Sequence, residues 1–483
     1  APLADDATFL RRIYLDLVGT IPSAEEVQVF LRDYDPDKRA KWIDRLLADP
    51  RYAQHQANVW DVILFGRNPP GGDATRKRDG FKRWLAGKFA TNTRYDALVR
   101  SILLAEEEGS ELFYVQFRNQ PEEATVAVSR IFLGTQLQCA RCHDHPFEDW
   151  TQRDFYGMAG FFVRLVVLEE GSGNARRFRI AEKSSGEVLF SGNAKDQVPG
   201  RKGEPVKPKF LLGPELDEPP LPKDYKEVEP KPGQPLRKPF FSRKEKIAQW
   251  ITASDNPFFA RAAANRFWGQ FFGRGLVHPV DDLGSNKSSA VPGLLDTVAQ
   301  EFVAHGFDVK WLIRELVSTR AYQLASSGPV SEASPRFYER ARVRPLSAEE
   351  LLAAIQVATG FDRTGEKLPG DTQEYFLRYF GEPTNGQGEF QGSLSEHLFL
   401  NNSGNLRQMI QPRKGNLAQR LLIMHEPWDK RVELLFLSVL SRYPSEAERS
   451  RFVQHLTSPG RPEALLEEAI WVLLNTAEFR FNH

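Results

Sequence analysis

The sequence holds two cysteines in 483 residues, and both fall in one stretch, CARCHDHPF, at positions 139–147. Cys139 and Cys142 are three apart, and His143 follows the second directly. Cys-x-x-Cys-His is the attachment signature for c-type haem. Two thiols at this spacing near a helix end can form thioethers with the two vinyl groups of one porphyrin. The adjacent imidazole of His143 then lies on the iron's axis and supplies the proximal ligand. The cofactor this chemistry calls for is one covalent haem c. A porphyrin also needs apolar walls. Ile131, Phe132, Leu133 and Leu137 precede the motif, and Phe147, Trp150, Phe155, Tyr156, Phe161 and Phe162 follow it. Three other chemistries compete for the same residues. Cys-x-x-Cys also serves thiol–disulfide exchange, but no thioredoxin-like βαβ pattern surrounds it. Cys139, Cys142, His143 and His145 form a complete Cys₂His₂ inventory for zinc, although fingers draw their ligands from two separated pairs. A simple structural disulfide is the third.

The sixth ligand of such an iron would decide the mechanism: methionine or histidine makes an electron carrier, and an open position admits peroxide, oxygen or substrate. Met158, His55 and His278 are the distal candidates. His145, two residues past the proximal ligand, belongs on the proximal side, where it shapes the pocket or hydrogen-bonds a carboxylate. A second dense constellation is NRFWGQFFGRGLVHPVDD. Asn265, Trp268 and Phe272 share one helical face. Arg266 and Arg274 could bind haem propionates. Asp281 and Asp282 could hold a general base, a metal ion or a polar substrate, so that His145, Asp281 and Asp282 are the catalytic candidates. An arginine–aspartate structural network is the competing reading of these residues. Asp144 and Glu148, beside the haem signature, carry the same ambiguity.

Composition bounds what must position these groups. Lys plus Arg equals Asp plus Glu at 64 each, so there is no global basic field and no argument for nucleic acid. No run of eighteen apolar residues appears, so nothing is expected to span a membrane. The length allows two or three domains.

The elements read as mainly α. FLRRIYLDLVGTIPSAEEVQVFLRDY gives two helices around a turn, with Ser23 and Glu26 as a capping box. Trp42, Ile43, Leu46 and Leu47 mark a third. QPEEATVAVSRIFLGTQLQ is a helix with Pro121 in its first turn, and it should deliver the cysteines near its C-terminal end. RRFRIAEKSSGEVLFSG alternates Phe178 and Ile180, then Val188 and Phe190, across a Ser-Ser-Gly turn, which reads as a hairpin. From about 199 to 240 prolines and lysines dominate, giving an extended strap whose KFLLG must pack on something; its basic residues read as solvated surface, with docking to an anionic partner as the lesser reading. Helices resume at 242, with capping boxes at Ser242/Glu245 and Ser347/Glu350 and a stop at Gly360. YLDLVGTIPSAEE and FLSVLSRYPSEAE echo each other as one common helix–turn–helix solution. The expected architecture is a multi-helical two-part chain with a small β insertion and a Pro-rich strap. Residues 1–163 form a helical cytochrome-like domain, 164–241 a small β module and connector, and 242–483 a second helical domain.

FLGTQLQCARCHDHPFEDWTQRDFYGMAGFF resembles the signature of the planctomycete cytochrome-like domain family. FLRRIYLDLVGTIPSAEEV and DPRYAQHQANVWDVILFGR are similar to that family's N-terminal part. DNPFFARAAANRFWGQFFGRGLVHPVDDLGSNKSS, FDVKWLIRELVSTRAYQLASS and RVRPLSAEELLAAI resemble the planctomycete C-terminal domain of unknown function that follows it. The resemblance implies an exported bacterial protein, periplasmic or elsewhere in the cell envelope, with a c-type haem; it supplies no reaction. One departure stands out: after YFLRYFGEP, where relatives carry a Cys-x-Cys-Glu-Arg-like stretch, this chain has TNGQGEFQGS. The function expected is redox work in the envelope with a redox partner protein. A haem enzyme acting on a saccharide or peroxide, a pure electron carrier, and a non-enzymatic scaffold with a Cys/His metal site or disulfide all stay open.

Overall fold

A computed structural model describes residues 1–67, 72, 75, 78–173, 176–192, 201–284, 287–328, 337–380, 400 and 403–483. The TNGQGEFQGS stretch lies outside them. The chain is mainly helical, as expected. Helices α1 (Asp6–Val18), α2 (Ala24–Arg32), α3 (Lys38–Ala48), α4 (Pro50–Phe65), α5 (Asp79–Ala90), α6 (Tyr95–Leu104), α7 (Leu112–Val115), α8 (Pro121–Leu133) and α9 (Gln152–Ala159) come first. Four short strands follow: β1 (Leu165–Glu170), β2 (Arg177–Glu182), β3 (Val188–Phe190) and β4 (Glu204–Val206). Then come α10 (Arg243–Ile251), α11 (Phe259–Phe272), α12 (Leu294–Ala304), α13 (Val309–Ser318), strand β5 (Arg344–Pro345), α14 (Ala348–Thr359) and α15 (Thr372–Tyr379). The C-terminal run is α16 (Gly404–Ile410), α17 (Leu417–Ile423), α18 (Trp428–Leu440), α19 (Glu446–Leu456), α20 (Pro462–Leu474), α21 (Ala477–Arg480) and β6 (Phe481–Asn482). Among the described residues, no helix is long and apolar enough to cross a membrane.

Two compact units result, and they interleave along the chain. One comprises residues 1–58, 271–273 and 314–483; the other comprises 59–270 and 274–313.

The first unit is built around α1, which is buried from Phe9 to Val18, Arg11, Arg12 and Asp16 included. Leu15 and Ile21 join Leu351, Ile355, Phe436, Val439, Leu466 and Ile470 in one core. Asp16 is the polar node. Its Oδ1 accepts from Arg344 Nη2 at 2.6 Å and from Asn482 Nδ2 at 2.8 Å, and its Oδ2 accepts from the Tyr322 hydroxyl at 2.6 Å. Arg344 in turn forks onto Glu350, at 2.7 and 2.8 Å. Gly19 ends α1 at φ +70, a left-handed conformation that a side chain disfavours, and a Cβ there would collide with the buried ring of His55. The expected capping boxes at Ser23/Glu26 and Ser347/Glu350 are formed. The echo noted in sequence has a common geometry: Gly19 and Ser441 are both left-handed, and each is followed four residues later by a serine capping box, Ser23/Glu26 and Ser445/Glu448.

In the second unit the predicted hairpin is corrected. β2 pairs with β1 in antiparallel register (Phe178 opposite Glu169, Ile180 opposite Val167), and β3 pairs with β4. The intervening Gly186 and Glu187 are claimed by buried arginines. Arg164 Nε donates to the Gly186 carbonyl at 3.1 Å, and Arg243 reaches the Glu187 carboxylate at 2.9 Å. The strap's apolar segment packs as expected: Phe210 stacks between Phe161, at 4.9 Å, and Trp250, at 5.0 Å. Most of its basic residues, Lys202, Lys223, Lys226, Lys231, Arg237 and Lys238 among them, are exposed, in line with the solvated-surface reading, while Arg201 pairs with Glu122 and Lys209 with Asp154. Ser242 caps α10, but the box with Glu245 is not closed; the Ser242 hydroxyl donates instead to Glu182, at 2.6 Å.

Burial pushes the Glu350 carboxyl up, but the charge and hydrogen bonds of Arg344 outweigh it and hold the group at about 2, against an ordinary 4.5. With the folded value depressed, the unfolded chain binds more protons between the two values. The stabilisation is therefore complete above pH 4.5 and is lost as the pH falls toward 2. Arg344→Leu strands the carboxylates of Asp16 and Glu350 and should cost about 3 kcal/mol at neutral pH. Denaturant titration of both proteins at pH 7 and pH 3 checks this: the variant should lose less stability than the parent on acidification.

Candidate haem attachment site

α8 carries the motif into place. Pro121 opens it, with Glu122 and Glu123 in its first turn. Gly134 closes it at φ +60, where a Cβ would lie 2.9 Å from Leu283 Cγ; both the conformation and the close approach select glycine. The chain then folds back. Cys139 lies in a 3₁₀ turn, Gln138–Arg141, and Arg141 Nη1 donates to Glu123 Oε1 at 2.7 Å. The expectation that the cysteines sit near the C-terminal end of α8 is thus corrected: the left-handed glycine ends the helix at Leu133, and the motif returns toward the helix's first turn. The turn is held from α9, where the Tyr156 hydroxyl donates to the Arg141 carbonyl at 2.9 Å and Gln152 Nε2 does so at 3.3 Å.

Cys139 and Cys142 are both unpaired and exposed, and the Cys142 amide donates to the Cys139 carbonyl at 3.3 Å. His143 is exposed, and its Nδ1 lies 2.7 Å from the Asp144 carbonyl oxygen. A carbonyl can only accept, so the ring proton is assigned to Nδ1 and the lone pair to Nε2. His145 has the opposite arrangement. Its Nδ1 accepts from the amides of Phe147, at 3.2 Å, and Glu148, at 3.0 Å. The proton of the neutral His145 ring is therefore on Nε2, which leaves no lone pair there for a metal.

These donors fit a c-type haem: two free thiols one turn apart, and an imidazole whose Nε2 is open while its Nδ1–H is tied to a carbonyl. The apolar walls fit less fully. Ile131, Phe132, Leu133, Leu137, Phe155, Tyr156, Phe161 and Phe162 are all buried in the protein's own core. Phe147, 73% exposed, and Trp150, half-buried with its ring 6.2 Å from Phe258, are the anticipated aromatics that still present an open face.

The second constellation assembles beside the motif. Asn265, fully buried, clamps the loop that follows α11: its Nδ2 donates to the carbonyls of Val277 and Val280, at 2.8 and 3.1 Å, and its Oδ1 accepts from the Val277 amide at 2.9 Å. The Leu283 amide donates to the Gly134 carbonyl at 2.8 Å, and the backbone of Gly284 lies against the Glu148 carboxylate. Asp281 is buried. Arg130 Nη1 donates to its Oδ2 at 2.8 Å, and Gln136 Nε2 lies 3.4 Å from its Oδ1. Arg266 donates to the carbonyls of Arg130 and Ile131, at 3.4 and 3.3 Å, which are in the last turn of α8 and lack helical partners. Asp282 faces Lys287 at 3.5 Å. Asp281 thus makes an arginine–aspartate pair of the structural kind, while Arg266 is bound to backbone carbonyls and Asp282 to a lysine. Arg274 is half-buried at the end of α11.

Of the distal candidates, Met158 is fully buried within α9, and His278 is half-buried in the clamped loop. His55 belongs to the other unit, where burial depresses its imidazole below the ordinary value. Sequence reasoning missed Gln136 and Arg130, which carry no local signal. It also missed the Thr151/Asp154 capping box of α9, which TQRD spells out.

Residues 1–166 match the family model PSCyt2, a protein of unknown function (DUF1549), and residues 243–375 match PSD1, a protein of unknown function (DUF1553). The chain therefore carries a planctomycete cytochrome-like domain followed by its companion domain, in agreement with the resemblance seen in sequence. No curated protein and no solved structure matches it.

The unpaired, exposed cysteines make a direct prediction. Protein purified without haem and without reductant should show two thiols per chain to an aromatic disulfide reagent before denaturation, with no further increase on unfolding. A native value near zero that rises only after reduction would instead establish a Cys139–Cys142 disulfide.

Proposed function

We propose that this chain, a PSCyt2 domain followed by a PSD1 domain, is a c-type haem redox protein of the bacterial cell envelope. The observation that carries this reading is the pairing of two free, exposed thiols with an imidazole already in the ligating tautomer. Cys139 and Cys142 would hold the porphyrin covalently, and His143 would face the iron through Nε2. A haem bound there would supply one-electron chemistry at its iron. The protein's own part is orientation. The Asp144 carbonyl keeps the proton on His143 Nδ1 and so raises the basicity of the opposite nitrogen. The Arg141–Glu123 ion pair and the Tyr156 hydroxyl hold the turn that bears the thiols.

Two observations weigh against the alternatives. Among the described residues, no group of three or more Cys, His, Asp and Glu side chains is placed to hold a metal ion, so the zinc site lacks an assembled ligand set. Asp281 is committed to Arg130 and Gln136, which favours electron transfer to a partner protein over acid–base work on a saccharide or peroxide. The envelope as compartment rests on the family resemblance.

Expression in a host with c-type haem maturation tests the proposal. The parent should carry one haem per chain that survives denaturation, with a Soret band and sharp reduced α and β bands. Cys139→Ser with Cys142→Ser should carry none, and His143→Ala should lose the low-spin bands. A parent that emerges from such a host with no Soret band and no mass addition overturns the reading.

A further inference from the structure

Beyond the ligating residues, the loop that follows them has a construction of its own. From His145 to Trp150 the chain closes on itself: the His145 amide donates to the Trp150 carbonyl at 2.8 Å. Inside that closure the His145 ring is the hub, since its Nδ1 accepts the amides of Phe147 and Glu148 together. Pro146, between them, has no amide to compete and fixes one turn of the backbone. An imidazole used in this way does what an asparagine or aspartate oxygen does in a local side-chain turn.

The residue before the loop is anchored from its other side. Asp144 Oδ1 accepts from the Gln152 amide, the first residue of α9, at 2.9 Å. Asp144 therefore sits between two fixed points, the His145 closure and the start of α9, and its carbonyl is aimed at His143 Nδ1. Loss of the closure would free that carbonyl, and His143 would be released to place its proton on either nitrogen.

We infer that His145 is a positioning residue for His143: it is not an axial ligand, and it acts by closing the 145–150 loop that aims the Asp144 carbonyl at the proximal imidazole. The inference rests on the haem reading only for its purpose. The geometry belongs to the chain itself and is testable without haem.

The experiment uses the full-length chain, haem-free, with ¹⁵N-labelled histidine at a pH where the rings are neutral. The parent should show His143 protonated on Nδ1 and His145 on Nε2. In His145→Leu, hydrogen exchange at the Phe147 and Glu148 amides should accelerate about tenfold, the loss of about 1.4 kcal/mol. His143 should then shift toward the Nε2-protonated form. His145→Asn, whose carbonyl oxygen can accept the same two amides, should restore both readouts. A purely structural role for His145 would speed exchange without moving the His143 tautomer, and that result overturns the inference. So does unchanged exchange in His145→Leu, or a parent His145 protonated on Nδ1. Protein matured with haem separates this inference from the one above. If the parent takes up no haem while the tautomers behave as stated, the cytochrome reading fails and the positioning role stands. If haem binds and both His145 variants lose the low-spin bands equally, His145 is a ligand and the positioning role fails.

Discussion

A single carboxylate, that of Asp16, organises the first unit. It sits in the middle of a helix with no exposed face, where an isolated charge would be prohibitive. It is tolerated because Arg344, Tyr322 and Asn482 each bring a donor to it, from three separate stretches of chain. Arg344 then needs Glu350, and Glu350 closes the capping box that starts α14. One buried charge thus fixes the approach of α1, β5, β6 and α14. The apolar residues around it could pack in several registers, and the polar node admits one.

The motif-bearing part of the second unit uses helix ends where the first unit uses a buried ion cluster. Gly134 stops α8, Arg266 covers the carbonyls left over at that stop, and the clamped loop at Val277–Gly284 seals the turn. The turn that bears the thiols is held by hydrogen bonds to carbonyls, by the Arg141–Glu123 pair and by the buried side chains of Leu137 and Ala140. The arrangement leaves both thiols and the His143 ring exposed.

Much of this was legible in the sequence, and the failures are instructive. The serine boxes at Ser23 and Ser347, Pro121 and the stop at Gly360 are local signals that the structure follows, whereas at Ser242 a distant carboxylate, Glu182, takes the hydroxyl and the box stays open. The Phe178–Phe190 hairpin failed because Arg164 and Arg243 claim the turn, a constraint that alternation cannot register. Cys139, Cys142 and His143 announced themselves by spacing. Arg266 and Asp281 were singled out in the sequence with two readings side by side, and their partners, Arg130 and Gln136, lie about 130 to 150 residues away along the chain, beyond the reach of any local signal. Spacing placed His145 on the proximal side, and the amides of Phe147 and Glu148 decide which of its nitrogens accepts.

The interleaving of the two units also sets a timetable. Asp16 and Arg344 are 328 residues apart, so at roughly 5–20 residues per second the ribosome needs on the order of half a minute to supply the partner. Throughout that interval α1 can pack only on its near neighbours, Phe9 on Phe30 and Tyr14 on Trp42, without the α14 and α18 residues that share its core, while residues 59–270 and 274–313 form the other unit. The middle of the chain can fold first, Cys139 and Cys142 included. The node of Asp16 with Tyr322, Arg344 and Asn482 closes only when those residues arrive, and until then the part of α1 that faces them is the surface that a nascent-chain chaperone would meet.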